Sequence, residues 1–375
     1  MTPTKLRTIA PLDLQAEYAL LGSEIEEAVV ASLRSGRHIG GPAVDTLEKS
    51  FAEMCGVEHA VAVSSGTDAL VLGLHAVGVK PGDTVVTSPF TFFASAGAIA
   101  WVGARPLLAD VDPETALLSP EAAASAIDGD TSCLLPVHLY GQPVDLAGFR
   151  KLADDRGLRL LEDAAQAHGS ARGGVRTGEK GCATAFSFYP TKNLGTAGEG
   201  GMVVTPSAEV HERLSGLRDH GSKVKYRHDF VGTNGRLNAI QATVLNVKFP
   251  HLEAWNARRR QLAARYDEAL ASHPDIRPLV RVPDAQHVYH QYTVRVPAER
   301  RDEVQKRLAE EAIHVAVHYP TPVHLQPAAA GWGYGPGDFP QAEALAREVL
   351  CLPIHPFLQD EDVDRVAEAL GRVIG

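Results

Sequence analysis

One ammonium stands alone in the stretch CATAFSFYPTKNLGTAGEGG, residues 182–201: between Lys180 and Glu199 the single charged residue is Lys192, set among aromatic, small and glycine residues. The chain has only ten lysines, and no other sits in so long an uncharged, loop-like segment. An ammonium in apolar surroundings is costly unless it is paired, gives up its proton or is used covalently. Desolvation lowers the pKa of such an amine and makes it a nucleophile toward carbonyl carbon. A structural lysine tied to backbone carbonyls is the alternative.

Two other clusters carry chemistry of a complementary kind. SSGTDAL, Ser64 to Leu70, puts Gly66 and Thr67 where a strand gives way to a helix, and free N–H groups at a helix start suit a phosphate. Taken alone it also reads as an ordinary helix cap. LLEDAAQAHG places Asp163 just past an apolar run, where its carboxylate can pair with a protonated ring nitrogen; Gln166, three residues on, can reach the same ligand. A capping or surface acid is the plain reading there. A phosphate site, an acid for an aromatic nitrogen and a nucleophilic lysine together call for pyridoxal 5'-phosphate.

The elements that must position these groups are legible as alternation. From residue 60, β-rich runs bounded by Gly and Pro (AVAVSS, TVVTSPF, RPLLADV, CLLPVHLYG, LRLLEDAA) are separated by helical patterns of about three turns. That pattern predicts an α/β fold, a mostly parallel sheet covered by helices on both faces, with ligands at the carboxyl ends of its strands. AFSFYP and GGMVVTP read as two further strands. A helical pattern over RLNAIQATVLNVKF must break or kink at Pro250. The division expected is a large domain over 1–249, with an N-terminal helical segment, and a smaller α+β domain over 250–375, with strands at HQYTVRV and HVAVHY.

Composition removes several function classes. A net charge of -10 argues against nucleic acid or an anionic membrane surface as the main partner. No segment has the apolar length of a membrane helix or a signal peptide, and the four cysteines, Cys55, Cys133, Cys182 and Cys351, form no CxxC pair. A cytoplasmic enzyme without a structural metal is expected. GTAGEGG has the spacing GxxGxG and precedes a strand, whereas the dinucleotide fingerprint needs GxGxxG between a strand and a helix. The histidines of HVYH and HYPTPVH lack metal-site spacing.

The ordered set VSSGTDAL, HLYGQP, EDAAQAHG, FSFYPTKNLG and GxNxRL followed by QA resembles the DegT/DnrJ/EryC1/StrS family of pyridoxal-phosphate-dependent nucleotide-sugar aminotransferases, over nearly the whole chain. The resemblance implies the fold type I, aspartate-aminotransferase-like architecture and a homodimer with shared active sites. It implies that Lys192 bonds the cofactor aldehyde and then shuttles a proton, Asp163 holds the pyridinium and Gln166 meets the ring hydroxyl. Phe92 would stack on the ring; Gly66, Thr67 and Ser187 would hold the phosphate, with Asn234 reaching it from the partner. Asn238 departs from the pattern, which expects an acid after NxRL.

The same resemblance implies an amino donor, glutamate, and a nucleotide-diphosphate keto-sugar acceptor. Lys223, Lys225 and Arg227 with Tyr226 form a basic loop suited to a diphosphate, and Tyr189, Arg236, His318, Tyr319 and His324 are further sugar-pocket candidates. TSPFTFFAS, NGRL and VHYPTPVHLQP look most like members that aminate a 3-keto sugar, a hexuronic acid or a 6-deoxyhexose. Arg236 or His318 could pair with a uronic carboxylate. Enzymes acting on 4-keto-6-deoxy sugars share the core motifs, and the alternatives from other classes are a non-catalytic regulator of the same fold and a different pyridoxal enzyme, such as a lyase or decarboxylase.

Overall fold

The computed structural model describes residues 7–224 and 226–375; the side chain of Lys223 and the whole of Lys225 lie outside the described residues. Its centre is a seven-stranded sheet: β1 (His59–Val63), β2 (Thr84–Thr87), β3 (Arg105–Leu108), β4 (Thr131–Leu134), β5 (Arg159–Asp163), β6 (Ala183–Ser187) and β7 (Gly201–Thr205), in the order β1-β7-β6-β5-β4-β2-β3. β7 alone runs against the others. The strands are short and buried through their centres, with Val61, Val85, Leu134, Leu161 and Phe186 all at 0% exposure, as expected of a sheet covered on both faces.

The consequence for function is one crowded edge. β1, β5 and β6 are parallel, so Ser64, Asp163 and Ser187 emerge together at their carboxyl ends. β7 begins there, with Gly201 paired to both Ser187 and Val63. A β-carbon on Gly201 would lie 2.3 Å from the Ser65 carbonyl oxygen, and one on Gly195 2.5 Å from that of Pro190. The glycine run GTAGEGG is therefore a packing requirement.

The long helical pattern breaks where Pro250 predicts. Helix Ala239–Lys248 gives way to a 3-10 turn, Phe249–His251, and then to helix Leu252–Leu270. Asn238 caps the first of these, its Oδ1 accepting from the Gln241 N–H at 3.0 Å. Asparagine and aspartate cap equally well, so the departure from the family pattern leaves this role intact.

Toward the C-terminus a three-stranded antiparallel sheet (Arg277–Pro278, Tyr292–Arg295, Val349–Leu352) carries a second core. Helix Asp360–Ile374 buries Val363, Val366, Ala367, Leu370 and Val373, an i, i+3, i+4 stripe, among Leu262, Tyr266 and Leu350. Ile9 joins this cluster, whereas Phe339, Leu345 and Cys351 pack with the central sheet. The segment HVAVHY is not the strand its alternation suggests. It makes a single bridge, Ala316 to Cys351, beside the Ile9–Ile313 bridge, and then turns toward the sheet edge.

Candidate active site

A cavity of about 530 Å³ opens at the carboxyl edge of the sheet, and Gly66, Thr67, Phe92, Asp163, Gln166, Ser187, Tyr189, Lys192, His318 and Tyr319 all line it. Eight segments distant in sequence supply its walls. Each side chain is fixed by the element that carries it.

At one end, helix Gly66–Val77 starts at the cavity. Ser65 caps it by accepting from the Asp68 N–H at 3.0 Å, and the Gly66 and Thr67 N–H groups have no acceptor among the described residues. They present the positive end of a buried helix. A β-carbon on Gly66 would come within 2.5 Å of the Ser187 β-carbon, so only glycine lets strand end and helix start close around one small anion. Ser187 sits at the last position of β6, its hydroxyl accepting from the Tyr189 N–H at 3.3 Å.

In the middle lies Asp163, the last residue of β5 and 5% exposed. One carboxylate oxygen accepts from the Ser95 hydroxyl at 2.7 Å and the other from the Ala165 N–H at 3.1 Å. Ser95 escaped sequence reading because it lies 68 residues away on helix Phe93–Trp101. Gln166 is held at both ends: its carbonyl accepts from the Tyr140 N–H at 2.6 Å and its amide donates to the Tyr319 hydroxyl at 3.1 Å. Glu162, beside Asp163, points the other way, binding the buried His138 ring at 3.0 Å and the N–H groups of Gly178 and Gly181. It ties HLYGQP to the back of β5.

Lys192 follows β6 in a turn closed by its own N–H to the Tyr189 carbonyl at 2.9 Å. Its amine has no hydrogen-bond partner among the described residues, and burial lowers its pKa to about 8, with the Asp163 charge pulling the other way. Two buried histidines within its electrostatic reach stay neutral. Burial, reinforced by the Lys192 amine, pushes the His168 ring down to about 3 and holds His290 well below its ordinary value. His318 is lowered by the same two causes. The opposite structural reading, an amine tied to carbonyls, belongs to Lys248, whose Nζ donates to the Gly195 carbonyl at 2.8 Å and pairs with Glu17.

Phe92 lines the cavity at its mouth, 57% exposed and tilted against Tyr319 at 5.8 Å. Other candidates do not converge. Asn234 is exposed outside this cavity, in a backbone bridge with Asp219, and Arg236 pairs with the Asp219 carboxylate. Tyr226 is exposed on a hairpin, and the Lys223 side chain and Lys225 fall outside the described residues. His324 is corrected: it is buried in a 3-10 turn, 3.2 Å from the Glu343 carboxylate and edge-on to Phe339, away from the cavity. His290, Gln291, Thr91 and Glu199 line the cavity without having been singled out. Thr91 and Glu199 adjoin candidates in sequence, whereas His290 and Gln291 are brought there only by long-range contacts.

The residues fit pyridoxal 5'-phosphate by chemistry as well as position: an anion cradle, a buried carboxylate and an unpaired, deprotonation-prone amine share one cavity. Fold and site thus define a pyridoxal-phosphate-dependent aminotransferase of fold type I. The sequence pattern of the DegT/DnrJ/EryC1/StrS aminotransferase family matches residues 20–371, and the chain belongs to that family. Among its relatives, dTDP-3-amino-3,4,6-trideoxy-alpha-D-glucose transaminase of Streptomyces venezuelae is 46% identical over 96% of this chain and 94% of its own. UDP-N-acetyl-3-dehydro-alpha-D-glucosamine 3-aminotransferase of Acidithiobacillus ferrooxidans is 41% identical over 99% of both chains. The solved S. venezuelae DesV structure superposes with a TM-score of 0.95 at 45% identity, covering 97% of this chain and 98% of that one. Among the described residues no helix is long and apolar enough to cross a membrane, and none of the His, Cys, Asp or Glu groups forms a metal site.

Proposed function

We propose that this aminotransferase moves an amino group from glutamate to carbon 3 of a nucleotide-linked keto sugar in the cytosol, working as a homodimer. The observation that carries the reading is the convergence of Lys192, Asp163 and the Gly66–Thr67–Ser187 cradle in one cavity. The preference for carbon 3 rests on the two relatives named for 3-amino or 3-dehydro sugars. A large domain over 1–249 and a smaller one over 250–375 is the proposed division of the chain.

The cofactor, when bound, supplies an aldehyde for nitrogen and a ring that takes up the electron pair left when a C–H bond breaks. The chain's part is to bind, orient and move the proton. Gly66, Thr67 and Ser187 would hold the phosphate, and Asp163, anchored by Ser95, would pair with the ring nitrogen and favour its protonated form. Lys192, whose amine gives up its proton readily, would be the group that holds and returns the proton taken from the substrate. With a pKa of about 8, roughly one amine in ten is neutral at pH 7, against about one in three thousand for the ordinary value of 10.5. His168 and His290, held neutral, leave it without a competing cation.

The sugar's diphosphate needs cations, and among the described residues Lys192 is the one lysine or arginine lining the cavity. A second copy would bring Asn234, Arg236 and the 223–227 loop to it. The apolar residues exposed along helix Leu14–Arg34, with Tyr18 at 55% and Leu20 at 60%, support such a partner. Mixing Lys192→Ala and Asn234→Ala chains tests the sharing: hybrid dimers regain activity if each active site draws on both chains, and stay inactive if each chain is self-sufficient. For the substrate, cofactor-amine enzyme is offered dTDP- and UDP-linked 3-keto and 4-keto sugars, and the products are identified by NMR. Amination at carbon 4 alone would overturn the positional claim.

A further inference from the structure

Tyr140 lies outside the cavity lining and 3% exposed, yet each of its polar groups holds a different part of the cavity wall. Its N–H donates to the Gln166 carbonyl oxygen at 2.6 Å. Its own carbonyl accepts from the Gln291 N–H at 3.2 Å. Its phenol donates to the His318 carbonyl. Gln166 in turn donates to Tyr319 at 3.1 Å, which closes a ring of bonds from the β5 edge to the C-terminal segment and back.

The backbone is built for this. Tyr140 has a φ of 58°, a conformation that L residues other than Asn, Asp and His seldom adopt, and it is followed by Gly141 with φ 94°. A β-carbon on Gly141 would lie 2.8 Å from Val288 Cγ2 and 3.0 Å from the His290 nitrogen, so the turn is pressed directly against the segment that carries His290 and Gln291. A strained, buried, fully hydrogen-bonded tyrosine persists where its surroundings over-determine it, at sites that must be held in register. Burial also keeps its phenol protonated and able to donate.

Resting on the aminotransferase reading above, we propose that Tyr140 is a positioning residue for sugar recognition: its phenol fixes the His318–Tyr319 wall relative to the cofactor-facing Gln166. The nucleotide sugar is the larger substrate and needs both walls in register, whereas the glutamate half-reaction depends on Lys192, Asp163 and Gln166, and Tyr140 holds Gln166 through its backbone N–H and not through its phenol.

Tyr140→Phe removes the phenol bond and keeps both backbone bonds. We expect the KM for the keto sugar to rise about tenfold, the loss of roughly one buried hydrogen bond, with kcat within about twofold and the glutamate half-reaction rate unchanged. Equal losses in both half-reactions, or no change in either, overturn the proposal. A second measurement does not depend on that variant folding: 3-fluorotyrosine at position 140 keeps the bond, and its 19F resonance should shift on sugar binding and not on conversion by glutamate. A resonance indifferent to the sugar also overturns it. If the unaltered enzyme fails the glutamate half-reaction, the aminotransferase reading fails; if it succeeds and the two tests above come out flat, only the role of Tyr140 does.

Discussion

Replacing Lys192 by methionine should make the cofactor-free protein more stable at neutral pH, because the site holds an amine where an amine is unwelcome. Burial lowers the Lys192 pKa from 10.5 to about 8. Below pH 8 both folded and unfolded chains carry the proton, and the folded state bears the full cost of the buried charge. Between pH 8 and 10.5 the folded chain has lost its proton while the unfolded chain keeps it, so the cost declines as pH rises, and above 10.5 it is gone. At about 1.4 kcal/mol per pKa unit the full cost is about 3 kcal/mol. The amine faces a cavity open to water, so we expect about 1–2 kcal/mol to appear as a gain in Lys192→Met. Methionine matches the stem in length and stays apolar. The assay is denaturant unfolding of both cofactor-free proteins at pH 7 and pH 10.5, read as the difference in midpoint. The gain should be present at pH 7 and should shrink toward zero at pH 10.5. A variant no more stable than the parent at pH 7, or a gain indifferent to pH, would refute the claim that desolvation sets this amine's chemistry.

Three further outcomes follow from the geometry. Asp163→Asn preserves the shape held by Ser95 and the Ala165 N–H but removes the charge; cofactor binding should persist while the glutamate half-reaction slows by about 10²–10³, measured by rapid mixing. Gly66→Ala places a methyl within 2.5 Å of the Ser187 β-carbon, and equilibrium titration should show cofactor affinity falling about 100-fold or more with the circular dichroism spectrum retained. His324→Ala removes a buried partner of Glu343 and should lower stability by about 1–3 kcal/mol in denaturant unfolding, with the KM for the sugar unchanged.

The cofactor cradle was legible because each of its parts is local. Gly66 and Thr67 follow a strand, Asp163 ends one, and Ser187 and Lys192 share a single loop, so a residue's type and its distance from an apolar run place it. What holds those parts was not legible, because Ser95 and Tyr140 act on residues 68 and 26 positions away in the chain. Sequence spacing carries no signal for such contacts. His318 and His324 show the same limit from the other side: both lie in one motif, yet a 3-10 turn at Val323–Leu325 sends the second inward to Glu343. HVAVHY alternates like a strand, but its neighbour on the ladder is available only at Ala316.

The central claim is that Lys192 bonds pyridoxal phosphate and that glutamate discharges that bond. It is tested most directly by the visible absorption spectrum of the purified protein with added cofactor, before and after glutamate, beside Lys192→Ala. We predict a yellow protein that bleaches with glutamate and a variant that shows neither the colour nor the change. A protein that remains colourless with the cofactor present, or a Lys192→Ala variant that colours and bleaches like the parent, would contradict it.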